Sequence, residues 1–253
     1  MENSDYIIGR NSVREAIKSG AQIDRIYIVE GISDGSIREI LRLARDARIV
    51  IREVPRNKLD EMSAGLGYNG KPANHQGIAA QIPAFRYGEM EDIYRLAEQS
   101  GRPPFIVILD GVQDPHNLGA VIRSAEALGA HGVIIGKRRS ASLTGAAVKV
   151  ACGAAEYIPV VKVTNINQAI EELKKKNVWV ACADSSGQPA RQANLKGALA
   201  IVIGGEGEGV SALTKELCDF TVGIELTGKT QSLNASCAAS VLLYEKTRQD
   251  CSG

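Results

Sequence analysis

Aromatic side chains are scarce in this chain. Phe, Trp and Tyr make up 4% of its 253 residues, with a single Trp, so a core has to be built from Ile, Val, Leu and Ala. Net charge is almost absent too: 30 basic residues against 29 acidic ones leave +1. That balance excludes a global field for polyanions, and any nucleic-acid surface must be a local patch. Five cysteines, Cys152, Cys182, Cys218, Cys237 and Cys251, form no C-x-x-C pair. Such a set suggests neither a disulfide framework nor a zinc site; buried free thiols in a reducing compartment are expected. No apolar run approaches the ~18 residues of a membrane span, and the opening MENSDYIIGRNS lacks the basic-then-apolar order of a leader. The expectation is a cytoplasmic protein with no membrane partner and no metal. There is no internal repeat and no low-complexity tract.

What is present is an alternation of strand and helix signals, in a composition ordinary for a globular protein of one or two domains. In residues 1–82, Ser12-x-x-Glu15 has capping-box spacing, and the helix it opens should stop at Gly20. Arg25–Val29 and Ile49–Val54 read as strands. Ser36–Ala47 reads as a helix with Ile37, Ile40, Leu41 and Ala44 at helical spacing. A short helix over Arg56–Ala64, a loop over 63–75 and a closing strand over Gly77–Ile82 complete an α/β unit. Three prolines and a short acidic helix, Glu89–Gln99, place an interdomain linker at 83–103. Beyond it, near-continuous apolar runs lie at Phe105–Leu109, Gly132–Ile135, Val178–Ala183, Ala198–Ile203 and Phe220–Ile224, with helical patterns such as Ile166–Lys176 between them. This order predicts an α/β domain with a parallel sheet covered on both faces. Such sheets take ligands at the carboxyl ends of their strands.

Three strand ends carry unusual chemistry. Leu109–Arg123 runs strand, turn, helix, with Pro115 and Asn117 where the helix should start. Arg123 lies six residues on, off the face of Asn117, and flanked by Val121, Ile122 and Ala125; a solvent-facing charge and a functional cation are equally open. Gly119 and Ala120 permit close backbone approach. Ile203–Ser211 holds four glycines in six residues, in a spacing that is neither the dinucleotide fingerprint nor a P-loop. A dinucleotide-dependent oxidoreductase is therefore disfavoured. Glu206 and Glu208 would repel phosphates, so a neutral or cationic ligand fits better, with a plain turn as the alternative. Ile224–Glu245 leads through a polar loop into a helix lined by Ala235, Ala238 and Ala239, a face suited to close helix packing or a subunit interface. Ser232 and Asn234 are natural helix-start residues, and capping is their simplest role.

Taken in order, Asp114-Pro-x-Asn-x-Gly-Ala-x-x-Arg123, Gly204-x-Glu-Gly-x-Gly209 and Ser232-Leu-Asn234 resemble the three motifs of the SpoU family of RNA 2′-O-ribose methyltransferases, in the SPOUT superfamily. The resemblance covers the whole second domain, 104–253. Ile8–Ile17 and His75–Ala79 are similar to the ends of the family's ribosomal-protein-like RNA-binding domain, here 1–82. The resemblance implies a trefoil knot in the C-terminal domain, S-adenosyl-L-methionine as cofactor and a homodimer. It also implies methyl transfer to a ribose 2′-hydroxyl, first of a guanosine in 23S ribosomal RNA, with tRNA as the alternative substrate. A non-catalytic RNA-binding protein of ribosome assembly is the competing reading. By position the resemblance implies cofactor contacts from Gly204, Gly205, Gly209, Ile224, Leu226 and Leu233, and catalytic roles for Arg123, Asn117, Glu206, Ser232 and Asn234. In the family the motif-one Arg is proposed to help activate the hydroxyl, with the RNA phosphate assisting. An ordinary Arg stays protonated, so phosphate anchoring and polarisation are expected of Arg123. Glu225-Leu226 stands where the third motif usually reads Pro-Met. Arg38, Arg42 and Arg45 on one helix face, and Lys137-Arg-Arg139 after a strand end, are candidates for gripping phosphates; for the helix, a solvated charged face is the plainer account.

Overall fold

Short apolar runs punctuated by glycine and polar turns set the first unit, residues 1–86. The computed structural model describes residues 6–64, 71–83 and 86–251. Residues 65–70 of the loop expected over 63–75 lie outside the described residues. In this unit β1 (Tyr6–Ile8), α1 (Arg10–Lys18), β2 (Arg25–Val29), α2 (Gly35–Asp46), β3 (Val50–Val54), α3 (Arg56–Ser63) and β4 (Ile78–Gln81) follow one another. The sheet order is β1-β4-β2-β3, with β2 and β3 parallel and β4 antiparallel to both its neighbours. Ile26, Ile28, Ile78 and Ala80 from the sheet pack on Val13 of α1 and on Ile37, Ile40 and Ala44 of α2. These helix residues recur at the spacing of one buried stripe. Asp34 caps α2 by accepting from the Ile37 N–H at 3.1 Å.

The capping box expected at Ser12 and Glu15 does not form. Helix α1 begins three residues earlier, with Gly9 at φ 91° in the capping position. The Gln76 side chain, 66 residues away, accepts from the Arg10 N–H at 3.1 Å. A long-range partner thus satisfies the helix start that a local motif was expected to satisfy.

The second unit, residues 87–253, contains α4 (Met90–Ser100), β5 (Phe105–Asp110), α5 (Pro115–Ala127), β6 (Gly132–Gly136), α6 (Gly145–Ala151), β7 (Val160–Val163), α7 (Ile166–Lys175), β8 (Trp179–Pro189), β9 (Leu199–Gly204), α8 (Ala212–Leu217), β10 (Phe220–Gly223) and α9 (Ala235–Cys251). Its six strands are all parallel, in the order β10-β8-β9-β5-β6-β7. From β5 the chain moves outward through β6 and β7, then crosses to build the other half. The reversal falls between β5 and β9, where the carboxyl ends of neighbouring strands diverge into different loops.

Most of the stretch expected to be a linker belongs to this unit. Ile93 of α4 is buried in the same cluster as Ile106, Ile108, Ile134 and Ile170, and the Gly88 N–H donates to the Val160 carbonyl at 2.9 Å. The acidic residues of α4 face water while its apolar stripe covers the sheet. The expectation of buried thiols is also corrected: Cys182 is buried, but Cys152, Cys237 and Cys251 are exposed. All three lie on or beside helices at the surface, where a small thiol carries no desolvation cost.

Candidate active site

The middle of β8, the carboxyl ends of β9 and β10 and the start of α9 surround one cleft of about 620 Å³ in the second unit, within the usual range for small-ligand pockets. Its floor is backbone. At the end of β9, Gly204 and Gly205 begin a glycine-rich loop that closes on itself through the Gly209 N–H and the Gly205 carbonyl, 3.1 Å apart. A Cβ on Gly204 would come within 2.1 Å of the Gly209 carbonyl carbon, and one on Gly205 within 2.2 Å of the Gly111 oxygen. Glycine is required at both positions so that three backbone segments can meet.

Asp110, at the end of β5, ties the loop down from two atoms. Its carbonyl accepts from the Gly205 N–H at 2.8 Å, and its carboxylate accepts from the Ser211 N–H at 3.0 Å.

Three side chains brought from distant parts of the chain close one side of the cleft. Asn117, buried in the first turns of α5, donates from its amide to the Glu206 carboxylate. Asn234 donates to the Asn117 carbonyl oxygen at 3.0 Å and to Glu206 at 3.3 Å. The Asn234 oxygen meanwhile caps α9, accepting from the Ser236 N–H at 2.9 Å and the Cys237 N–H at 3.4 Å. Capping and site-building are therefore the same act: the helix start fixes the amide, and the amide's free end fixes the carboxylate. Ser232 and Leu233 line the cleft just upstream.

The cleft also has an apolar lining. Ile224, Leu226 and Leu233 line the cleft, and Leu226 and Leu233 are exposed large hydrophobic residues. A flat apolar group fits against such a wall, and a cation fits beside Glu206 and Glu208. The residues present therefore suit a ligand like S-adenosylmethionine, with an adenine at one end and a sulfonium in the middle. Glu225 turns away from this wall to meet Arg191, with oxygen to nitrogen distances of 2.6 and 2.9 Å. That leaves Leu226 alone of the departing pair Glu225-Leu226 to line the cleft.

All six expected cofactor residues, Gly204, Gly205, Gly209, Ile224, Leu226 and Leu233, line the cleft. Of the five expected catalytic residues, Glu206, Ser232 and Asn234 line it and Asn117 is hydrogen-bonded into it. Arg123 is not drawn into this network. It is exposed on α5, and its guanidinium contacts the Cys152 sulfur at 3.5 Å. Two carboxylates were not foreseen. One is Asp110. The other is Asp184, which lines the cleft at the end of the first half of β8. The Lys215 ammonium at 2.8 Å and the Ser186 hydroxyl and N–H hold the Asp184 pKa down at about 2. Its signal in the sequence was a carboxylate one residue beyond an apolar run, the same signature as Asp110. Among the described residues no group of His, Cys, Asp or Glu is arranged to hold a metal ion, and no helix is long and apolar enough to cross a membrane.

This combination of a parallel sheet, a glycine loop and an Asn–Glu–Asn cluster has known counterparts. The family model of the SpoU rRNA Methylase family matches residues 104–244, and that of RNA 2′-O ribose methyltransferase substrate binding matches residues 6–88. The chain belongs to the SpoU methyltransferase family. It is 42% identical over 250 residues to YacO of Bacillus subtilis, assigned to the TrmH family of tRNA/rRNA methyltransferases, covering 98% of this chain and 97% of that one. The fold matches the crystal structure of the SpoU methyltransferase AviRb from Streptomyces viridochromogenes in complex with AdoMet, with a TM-score of 0.59, 25% identity and coverage of 98% and 91%. It also matches the TrmH/SpoU tRNA modifying enzyme of A. aeolicus, with a TM-score of 0.54, 27% identity and coverage of 63% of this chain and 82% of that one.

Proposed function

We propose that the protein transfers a methyl group from S-adenosylmethionine to a ribose 2′-hydroxyl of RNA, and that the substrate is a guanosine in 23S ribosomal RNA. The observation that carries this reading is the Asn117–Glu206–Asn234 cluster beside a glycine-floored cleft. A protein that only bound RNA would have no use for a buried amide held against a carboxylate at the mouth of a small-ligand cleft.

When bound, the cofactor supplies a methyl group already activated on a sulfonium, so the protein's work is alignment and the handling of one proton. Backbone of Gly204, Gly205 and Gly209 and the side chains of Ile224, Leu226 and Leu233, which line the cleft, would hold it. Glu206, fixed by the two asparagines, sets the charge at that side of the cleft. Ser232 orients the ribose, and Arg123 anchors the neighbouring RNA phosphate, which takes the proton that the 2′-hydroxyl gives up as the methyl group is transferred. The homodimer and the trefoil knot belong to the same reading. Exposed Val241 and Tyr244 on α9 give a second copy an apolar strip to cover; sedimentation showing a monomer at micromolar concentration would remove the dimer.

The direct test incubates the full chain with labelled S-adenosylmethionine and either a 23S ribosomal RNA transcript or bulk tRNA. Alkali-resistant labelled dinucleotides from the ribosomal RNA are expected. Label in tRNA alone would move the substrate to tRNA, and no alkali-resistant label in either would sink the reading.

A further inference from the structure

We propose that residues 137–152, together with Arg123, form a grip for the RNA phosphates that flank the target ribose. The proposal rests on the reading of the protein as an RNA methyltransferase and adds the surface of the second unit that holds the backbone.

The sequence supplies the charge. From Lys137 to Ala155 the chain carries Lys137, Arg138, Arg139 and Lys149 and no Asp or Glu; the first acid is Glu156. In a chain whose charges nearly cancel overall, this is the local patch that binding a polyanion needs. Arg138, Arg139, Lys149 and Arg123 are all exposed, and none of them forms a salt bridge among the described residues. Adjacent arginines suit phosphate oxygens because each guanidinium offers paired donors in a fixed fork.

The structure supplies the placement. Three contacts lay the stretch along α5 in step. The Ala141 N–H donates to the Val112 carbonyl at 2.8 Å, just before α5 starts. At Gly119 an added Cβ would meet the Ala147 carbonyl oxygen at 2.4 Å and the Val150 Cβ at 2.8 Å, so α6 lies directly on the α5 backbone. Then Cys152 meets the Arg123 guanidinium at 3.5 Å. The cations therefore border the same helix that carries Asn117 at its cleft end and Arg123 almost two turns on. Arg139 adopts φ 52°, a conformation that Gly and Asn reach more easily than a long side chain. Helix α2 differs in that its arginines are interleaved with acids: Glu39 and Asp46 lie in the same helix, and Arg42 is 3.5 Å from Asp46.

The test measures equilibrium binding of the full chain to the 23S ribosomal RNA transcript and to bulk tRNA across a salt series. Removing one phosphate-binding cation should make the slope of log affinity against log salt shallower by about 0.7 to 0.9. For Arg138→Ala with Arg139→Ala a decrease of roughly 1.4 to 1.8 is expected, with calorimetric S-adenosylmethionine affinity unchanged as the check on folding. Arg139→Gly, which suits the left-handed backbone, should lower the slope by about half as much. Arg95→Ala on α4 removes one charge elsewhere and should leave the slope alone. The proposal is overturned if the double variant keeps the wild-type slope, if Arg95→Ala shifts it equally, or if the wild-type chain binds neither RNA. Because the readout is binding, RNA held by this surface without methyl transfer would overturn the proposed activity and leave the grip standing.

Discussion

The two edges of the six-stranded sheet use similar polar residues to opposite ends. At the amino-terminal edge they are buried and saturated. Lys246 is 1% exposed, yet its ammonium donates to the Gly197 carbonyl at 2.8 Å, pairs with Asp250 and sits 5.4 Å from the Phe105 ring. Gln249 donates to the Ala190 and Ala193 carbonyls and accepts from the Leu195 N–H at 2.9 Å. His131 accepts from the Phe105 N–H at 3.0 Å through one ring nitrogen and meets the Ser100 hydroxyl with the other at 2.9 Å. These three side chains keep no N–H donor in reserve for a ligand. At the carboxyl edge the Asn–Glu–Asn cluster opens on a cleft, and Arg123 has a single weak contact. Polar groups that have spent their hydrogen-bonding capacity hold the fold together, whereas those with capacity to spare beside a cavity carry chemistry.

The sharpest way to break this contrast is at Arg123. Arg123→Ala should lower methyl transfer by ~10² to 10³, the scale for losing one charge-stabilising group, while stability moves by less than about 0.5 kcal/mol because the side chain is exposed. Single-turnover rates with labelled cofactor, together with urea unfolding, read both. Unchanged transfer would return Arg123 to the class of solvent-facing charges.

The amino-terminal edge should answer to pH instead. Burial, followed by the nearby Arg102 and Lys246 charges, lowers the His131 pKa from 6.5 to about 4. The unfolded chain thus binds a proton more readily than the folded one. The stability associated with neutral His131 is complete above pH 6.5 and is lost as pH falls toward 4. The shift of about 2.5 units corresponds to roughly 3 kcal/mol. Urea midpoints between pH 7 and 4 should fall accordingly, and that part of the slope should flatten in His131→Gln.

A third variant separates the edges by sign of effect. Gln249→Ala leaves the Leu195 N–H and two carbonyls without their side-chain partner. It should cost about 2 to 3 kcal/mol, with kcat unchanged once the protein is folded. A fall in kcat without a fall in stability would mean that the two edges are coupled.

One kind of element is legible in the sequence and another is hidden. Arg25–Val29 coincides with β2 residue for residue, and Phe105–Leu109 and Ala198–Ile203 fall within one residue of β5 and β9, because each is a continuous apolar run between turn residues. Strand β1, of three half-buried residues, and β7, at the sheet edge, are too short to show. The far half of β8, Ser-Ser-Gly-Gln-Pro, is polar and carries no strand pattern; it pairs with β10 only after a register shift. The site is legible as three separate strand ends, and its assembly is not. Asn117 and Glu206 are 89 positions apart, and no local spacing announces that the amide of one meets the carboxylate of the other. Asp110 and Asp184 are easily missed because each closes an apolar run, just short of the loop that carries the more conspicuous residues.

The smallest expected effect refines the contrast by finding a spent polar pair on the functional edge. Arg191 and Glu225 form a two-pronged ion pair, but their side chains are 68% and 46% exposed, so solvent screens it and its stability contribution should stay below about 1 kcal/mol. Its place matters more than its strength: Glu225 directly precedes Leu226, which lines the cleft. Arg191→Ala releases Glu225 beside a cleft that Glu206 and Glu208 already line. Unfolding midpoints should barely move, transfer at saturating cofactor should be unchanged, and calorimetric S-adenosylmethionine affinity should shift by no more than a few-fold. A shift of a hundredfold would instead make this exposed pair a determinant of cofactor binding. Saturated hydrogen bonding alone would then no longer separate structural groups from functional ones, and distance from the cleft would have to enter the criterion.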